Sequence, residues 1–248
     1  MPPKNPWLNV NLNPKVRPSK IIAKDKDEIK VVRSLARQLA GKPDYALHLN
    51  ILPEPFWGSL EEANVYILSG NPGYGKVERK YNNDPLFAQA TQDNITQKNP
   101  HIVWIDSNKP IDNGGKDIPH PGHDYWLKRT RVLREAAKKD NLNICIIEYF
   151  PYHSRKISSA MKTKGKNLPS SKFVDDYIKN AIGEKWIVIA RCKADWINRI
   201  PALTSKGNGK VLKTRSQQMY LTPKNLQELT DKNSLTPAMW DAFVKACQ

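Results

Sequence analysis

The sequence predicts an α/β fold in which helices cover both faces of a short, largely parallel sheet of four strands. Four apolar runs have the length of strands, and helical patterns lie between them. The first run, residues 64–69, is apolar on both faces, which is typical of a buried parallel strand. Because strands and helices alternate, we expect a three-layer α/β/α arrangement. The other three runs are residues 142–148, 185–190 and 209–214.

The remaining segments are predicted in chain order. Residues 1–25 are rich in Pro, Asn and Lys and predict an extended basic arm, whereas residues 26–248 are expected to form a single domain. A helical period starts at residue 26 and stops at Gly41, a residue favoured just after a helix. Residues 71–121 form a long, loop-rich insert, and such loops are usually functional. Further helices are predicted near residues 122–139 and 170–182 and in a segment ending before Pro201, and the tail is expected to hold one or two helices, near residues 223–231 and 236–246.

The charge of the chain points to a polyanionic partner. The 248 residues include 40 Lys and Arg against 24 Asp and Glu, which gives a net charge of +16 and a pI near 9.7. This balance favours nucleic acid first and an anionic membrane surface second. No apolar run approaches the roughly 20 residues of a membrane helix, and the first residues lack the apolar core of a secretory signal. We therefore expect a cytoplasmic monomer that does not bind a membrane.

The turn after the first strand reads Ser-Gly-Asn-Pro-Gly-Tyr-Gly-Lys-Val. From Gly70 to Lys76 it matches part of a phosphate-binding P-loop. However, Val77 stands where a magnesium-binding Ser or Thr should follow, and no sustained helix is predicted to start at the lysine. A nucleotide hydrolase therefore stays a minor alternative. The turn also resembles the Asn-Pro-Pro-aromatic loop of DNA amino-methyltransferases, although Gly73 replaces the second proline.

Segments in chain order carry a stronger family resemblance. They read "LPEPFWG" with "ANVYILSGNPGY", then "HPGHDYW", "IIEYFPYHS" and "VLKTRSQQMYLTPKNL". Together they resemble the catalytic, base-reading and DNA-inserting segments of the uracil-DNA glycosylase superfamily, in its divergent prokaryotic branch. The resemblance spans roughly residues 50–230. It implies a uracil-DNA glycosylase-like fold and an enzyme that flips a base out of DNA, hydrolyses its glycosidic bond and leaves an abasic site. It implies no metal and no organic cofactor.

The resemblance assigns roles to residues of the turn. Asn71 takes the place of the family's water-positioning Asp or Asn, and its amide can orient water without being a strong base. Gly70, Pro72 and Gly73 shape a turn tight enough to admit the sugar, although an ordinary strand-to-loop turn uses the same residue types. With no Lys in the motif to form a Schiff base except the nearby Lys76, we expect a monofunctional glycosylase. Candidates to contact the extruded base are Tyr74, Tyr81, Phe87 and Tyr152.

Glu148 departs from the family pattern and bears on the choice of base. Related uracil enzymes place an Asn at this strand end to read the pyrimidine edge. A carboxylate accepts hydrogen bonds from an exocyclic amine, as it does from cytosine N4, and should repel uracil O4. We therefore expect cytosine or a modified cytosine as substrate. Two other roles for Glu148 stay open. It could form an ion pair at the end of the sheet, or it could act as a general base with a raised pKa.

The last strand lacks the family's histidine that stabilises the departing base. Either Arg215 or His153 then supplies the positive charge, while Ser216 and Gln217 are candidates to wedge into the duplex. The histidines of the insert, His101, His120 and His123, have no carboxylate or Cys spacing that completes a metal site. A basic surface for the DNA backbone is predicted at Lys128, Arg129, Arg131, Lys138, Lys139 and Arg155.

The biological role follows from the expected base. A bulky cytosine derivative, hydroxymethylated or glucosylated, would suit an antiviral glycosylase that attacks modified phage DNA. Repair of uracil or another deaminated base is the conservative alternative. A catalytically silent nucleic-acid-binding module on the same fold is the alternative from another class of protein, and it would not need Asn71.

Overall fold

The computed structural model describes residues 4–8, 10, 21–75, 78, 84–98, 100, 121–205, 210–216, 218–230 and 234–248. Within these ranges the chain forms seven α-helices, six strands and a short 3-10 helix at Pro201–Thr204. The strands are β1 Phe56–Trp57, β2 Val65–Leu68, β3 Ile144–Ile147, β4 Trp186–Ile189, β5 Val211–Thr214 and β6 Leu226–Glu228. The helices are α1 Lys26–Leu39, α2 Pro85–Thr96, α3 Pro121–Ala137, α4 Ser159–Gly165, α5 Pro169–Ala181, α6 Lys193–Arg199 and α7 Pro237–Ala246.

The predicted α/β class is confirmed, and the sheet is larger than predicted. Its strand order is β1-β3-β2-β4-β5-β6. Strands β3, β2, β4 and β5 run parallel, and in this register Ile67 lies opposite both Ile146 and Val188. Strand β6 runs antiparallel to β5, with Lys213 opposite Gln227. The sheet is therefore mixed and has six strands, two more than the four that the sequence predicts.

Strand β6 lies where the sequence pattern predicts a helix at about residues 223–231, and that prediction is wrong. The Arg215 N–H donates to the Asn225 carbonyl over 2.8 Å, and the Leu229 N–H donates to the Val211 carbonyl over 2.9 Å. The segment thereby satisfies backbone groups along the edge of β5, which would otherwise need another partner. Pairing with the preceding strand outweighs the local helical pattern here.

The loop-rich insert predicted at residues 71–121 contains helix α2, which the sequence analysis missed. The Asp84 carboxylate caps its start by accepting from the Phe87 N–H over 3.1 Å, and Pro85 follows the cap. The Phe87 ring lies 6.0 Å from the Trp57 ring, so tertiary packing supports a helix whose apolar face is weak. Residues 101–120 of the insert lie outside the described residues.

The chain divides into two compact units, each drawn from three stretches of sequence. The first unit comprises residues 1–57, 70–101 and 148–176, and the second comprises residues 58–69, 102–147 and 177–248. Trp7, in the predicted N-terminal arm, is buried in the first unit with its ring 6.0 Å from Tyr152. In the second unit the Trp186 and Phe243 rings meet edge to face at 5.6 Å. None of the helices described in either unit is long and apolar enough to cross a membrane.

A buried polar network stabilises the first unit. Glu28 on α1 is fully buried, and one carboxylate oxygen accepts from the Tyr152 hydroxyl over 2.5 Å and from the Ser170 hydroxyl over 2.6 Å. The other oxygen accepts from the Ser170 N–H over 2.8 Å, in the first turn of α5. Burial raises the pKa of Glu28, and these hydrogen bonds only partly offset that rise. The network fixes Tyr152, the residue before His153.

Candidate active site

Two loops of the first unit, residues 70–75 and 148–154, are held together by backbone hydrogen bonds. The first follows β2 and the second follows β3, the strand beside it in the sheet. The Phe150 N–H donates to the Gly70 carbonyl over 2.9 Å, and the Ser154 N–H donates to the Pro72 carbonyl over 3.4 Å. The Glu148 N–H donates to the Pro55 carbonyl over 2.9 Å. The sequence therefore brings the predicted catalytic turn and the predicted base-reading segment side by side.

The side chain of Asn71 is oriented by three acceptors. Its amide nitrogen lies 3.0 Å from each of the Pro72 carbonyl, the Ser154 carbonyl and the Ser154 hydroxyl. The Ser154 hydroxyl donates in turn to the Lys156 carbonyl over 2.9 Å, so it can accept from Asn71. Two carbonyl acceptors identify this end of the amide as the NH2 group. Within the described part of the chain, no hydrogen bond reaches the Asn71 Oδ1 atom, which leaves an oriented acceptor on a half-buried residue.

His153 has a protein group at each ring nitrogen. Nδ1 lies 2.6 Å from the Gly73 carbonyl oxygen, so it carries a hydrogen and donates. Nε2 lies 3.5 Å from Oε1 of Glu54, and both side chains are buried. Burial by itself would lower the pKa of His153, but Glu54, the Gly73 carbonyl and Glu78 together raise it above the ordinary histidine value. The arrangement favours an imidazolium that fixes the turn rather than one that faces a ligand.

The rest of the turn is also engaged. The Tyr74 ring stacks face to face on His48, with ring centroids 3.3 Å apart, and the His48 N–H donates to the His153 carbonyl over 3.0 Å. The Gly75 N–H donates to the Glu78 carboxylate over 2.5 Å. A P-loop needs such amides to face phosphate oxygens, and a carboxylate already occupies this one. The geometry thus disfavours a polyphosphate at the turn.

The structure places the other predicted base contacts differently. Glu148 is half-buried at the end of β3, and its backbone N–H pairs with the Pro55 carbonyl rather than with the turn. Tyr152 is buried, and its hydroxyl donates to Glu28, so this ring has a structural placement. Phe87 is buried against Trp57. Tyr81, Lys76, Gln217, His101 and His120 lie outside the described residues.

The predicted DNA-contacting residues divide between the units. In the first unit, Arg155 is exposed and its guanidinium lies 3.7 Å from Asp44, which also binds Lys156 over 2.6 Å. In the second unit, Arg215 is exposed, and its Nε donates to Gln227 over 2.8 Å. The exposed Ser216 donates its backbone N–H to the Asn225 side chain over 3.0 Å.

Helix α3 of the second unit carries the predicted basic face. The guanidinium of Arg129 lies over the Tyr125 ring, 3.3 Å from the ring centroid, and donates to the Tyr125 carbonyl over 3.1 Å. Lys128, Arg131, Lys138 and Lys139 are exposed. The Leu221 N–H donates to the Arg129 carbonyl over 3.0 Å, so the segment after β5 docks on this helix. Arg129 therefore helps to hold that segment, while its neighbours present charge to solvent.

Sequence reasoning gave no role to Glu54, His48, Ser154 or Glu78. Glu54 and Ser154 stand inside segments that the resemblance uses, but nothing local indicates that Glu54 meets His153 about a hundred residues away. The described residues contain no cluster of three His, Cys, Asp or Glu side chains able to hold a metal ion. Comparisons with protein-family models, with curated proteins and with solved structures find no match to this chain.

Proposed function

We propose that this chain is a monofunctional DNA glycosylase, a divergent member of the uracil-DNA glycosylase superfamily with that family's three-layer fold. The observation that carries the proposal is the fixed amide of Asn71. Its NH2 group is bound by Ser154 and Pro72, and none of the residues that the structure describes donates to its Oδ1. An immobilised acceptor at the end of a central parallel strand is what the positioning of a water nucleophile requires.

The reaction follows from this acceptor. A base extruded from DNA presents its sugar to the turn, and Asn71 Oδ1 accepts a hydrogen from the attacking water. The water oxygen bonds to the anomeric carbon while the glycosidic electron pair leaves with the base nitrogen through an oxocarbenium-like sugar. The water's proton ends on the departing base or in solvent. Because an amide is a weak base, the rate comes from placement and electrostatics.

Glu148 is proposed to select the base. It is half-buried at the carboxyl end of β3, in the loop paired with the Asn71 turn. A carboxylate there accepts from the exocyclic amine of cytosine and repels the O4 atom of uracil. The substrate class is therefore cytosine-derived, and a bulky hydroxymethylated or glucosylated cytosine of phage DNA would give the enzyme a role in antiviral defence.

Exposed positive charge of the second unit is proposed to hold the DNA. Lys128, Arg131 and Arg215 are exposed in the second unit, and together with the net charge of +16 they support binding to a phosphate backbone. His153 donates from Nδ1 to the Gly73 carbonyl, and its Nε2 lies 3.5 Å from the Glu54 carboxylate, so a structural role competes with the role predicted for it at the departing base. A non-catalytic nucleic-acid-binding module is the second candidate function, and the same exposed charge supports it.

The first experiment measures base release from a panel of DNAs, without metal or nucleotide. The panel holds plain, uracil-containing, hydroxymethylcytosine and glucosylated hydroxymethylcytosine DNA. Released base is read by mass spectrometry, and abasic sites by alkaline strand cleavage. Release only from a cytosine-derived DNA supports the role of Glu148, whereas release of uracil contradicts it and favours repair.

Asn71→Ala then separates the enzyme from the binding module. We expect base release to slow about a hundredfold to a thousandfold, the cost of removing one preorganised polar group, with unchanged DNA affinity. The control is Asn180→Ala, which changes an exposed asparagine on α5 in the same way. Equal rates in the two variants would remove Asn71 from the mechanism. Intact DNA binding by a wild-type protein that releases no base would favour the binding module.

A further inference from the structure

Glu54 and His153 form a buried acid–base pair that contacts the Asn71 turn through the Gly73 carbonyl. The imidazole lies between the Glu54 carboxylate, 3.5 Å from Nε2, and the Gly73 carbonyl, 2.6 Å from Nδ1. Only 2% of the His153 surface and 7% of the Glu54 surface is exposed. Solvent therefore screens this pair little, and its interaction is stronger than that of a surface pair at the same distance.

The backbone fixes both ends of the pair. The Glu54 N–H donates to the Pro151 carbonyl over 3.0 Å, two residues before His153. The His48 N–H donates to the carbonyl of His153 itself over 3.0 Å. On the other side, Ser154 follows His153 and binds the Asn71 amide. His153 thus binds the turn at the Gly73 carbonyl, and the next residue, Ser154, binds it at the Asn71 amide.

We infer that Glu54 is a positioning residue, because it holds His153 against the Gly73 carbonyl and so fixes the turn that orients Asn71. Its catalytic consequence rests on the proposed function, whereas its effect on the turn is a property of the protein alone. Glu54 makes no contact with a substrate in this scheme. It acts through His153, whose Nδ1–H is the group that binds the turn.

The charges that face His153 decide how the pair depends on pH. Glu54 precedes β1 and lies at Nε2, and Glu78, beyond the turn, acts over a longer distance and binds the Gly75 N–H. His48 contributes a backbone contact, and its ring stacks on Tyr74. Nδ1 keeps its hydrogen on the Gly73 carbonyl, so the titrating proton is the one on Nε2. Losing it removes the positive charge between Glu54 and the turn.

The sign of the pH effect follows from the raised pKa of His153. The stabilisation is fully present below the ordinary histidine pKa of about 6.5, and it is lost as the pH rises through the pKa of the folded protein. The turn is therefore expected to loosen as the pH rises through the pKa of His153 in the folded protein, while Nδ1 still donates to Gly73 as a neutral and weaker donor.

The test uses Glu54→Gln, a neutral side chain of the same shape, with Glu62→Gln as the matched control on an exposed glutamate. NMR follows the His153 imidazole through a pH titration, and hydrogen exchange follows the backbone amides of residues 70–75. We expect Glu54→Gln to lower the pKa of His153 and to speed exchange in the turn about tenfold below pH 6.5. The control should match the wild type. An unchanged titration and unchanged exchange would overturn the inference.

A second variant covers the case in which Glu54→Gln does not fold. His153→Gln keeps an NH2 donor for the Gly73 carbonyl but does not titrate. We expect the pH dependence of exchange at residues 70–75 to vanish in this variant. Persistence of that dependence would assign it to another group and would contradict the inference.

Kinetic measurements of base release separate this inference from the proposed function. On the DNA that the wild type cleaves, Glu54→Gln is expected to lower kcat about tenfold with little change in KM, because Asn71 is misplaced rather than removed. Its fall in kcat with rising pH should begin at a lower pH than the fall expected of the wild type, because the pKa of His153 is lower without the Glu54 carboxylate. If the wild type releases no base from any DNA, the proposed function fails, and the NMR and exchange results still decide whether Glu54 positions the turn.

Discussion

The loops after β2 and β3 and the basic face of α3 both carry charge, but they use it in opposite ways. His153 of the second loop is buried, and its ring lies between a backbone carbonyl of the first loop and the buried Glu54, which precedes β1. On α3, Arg131 and Glu135 lie 3.8 Å apart with side chains 72% and 67% exposed. The buried pair of His153 and Glu54 holds the turn in position. The exposed pair of Arg131 and Glu135 contributes little to stability, and its charges stay accessible to a binding partner.

This difference matches the two tasks of the proposed enzyme. Chemistry at a glycosidic bond needs groups held in position before the substrate arrives. Binding along a phosphate backbone needs accessible cations, and their geometry can stay loose because the attraction is long-range and largely independent of sequence. Variants in the two regions should therefore change different observables, which are turnover and stability in the first and salt-dependent affinity in the second.

The largest effect is expected from Glu28→Ala, which removes the carboxylate that accepts the hydrogen bond of the Tyr152 hydroxyl. It leaves the Tyr152 and Ser170 hydroxyls and the Ser170 N–H without their acceptor in a buried site. We expect the free energy of unfolding to fall by about 3 kcal/mol. Denaturation in urea measures it. Glu135→Ala on exposed α3 is the control, with a change of about 0.5 kcal/mol or less. Equal losses in both variants would contradict the contrast between buried and exposed charge.

An intermediate effect is expected from Ser154→Ala, which loosens Asn71 without removing it. The variant deletes one of the three acceptors of the amide and the hydrogen bond to Lys156. We expect kcat for base release to fall about tenfold, less than for Asn71→Ala, with KM almost unchanged. Single-turnover kinetics measures the step. Ser158→Ala, at the cap of α4, is the control for loss of a hydroxyl in the same segment. A change in KM alone would assign Ser154 to binding.

The smallest effect is expected from Lys128→Ala on the basic face. Removing one phosphate contact should reduce the slope of log affinity against log salt by about 0.9 and weaken binding a few-fold, about equally for all DNA sequences. Turnover at saturating DNA should not change. Fluorescence anisotropy across a salt series measures the slope. Lys172→Ala, an exposed lysine on α5 of the first unit, is the control. An unchanged slope for Lys128→Ala would show that this face does not contact DNA.

The local residue pattern was enough to predict the central strands. It failed for elements whose structure depends on contacts with other segments of the chain. The apolar run at residues 64–69 predicted β2, because a buried parallel strand is apolar on both faces. Strand β6 was missed, since three residues beside the edge of β5 carry too little pattern of their own. Helix α2 was missed because its apolar residues do not form a strong face and its support comes from Trp57. Candidate site residues were found where a motif named them, and Glu54 was not, because its partner is distant in sequence.

The sequence by itself determined the α/β class, the strong positive charge and the position of the Asn-Pro-Gly turn at the end of a strand. Those properties depend on residue type and on spacing along a short stretch of chain, which are visible without a fold. Only the tertiary structure decided that Ser154 orients Asn71 and that His153 lies between Glu54 and Gly73. Such contacts depend on the pairing of strands about eighty residues apart and on burial, which sets the strength of each charge.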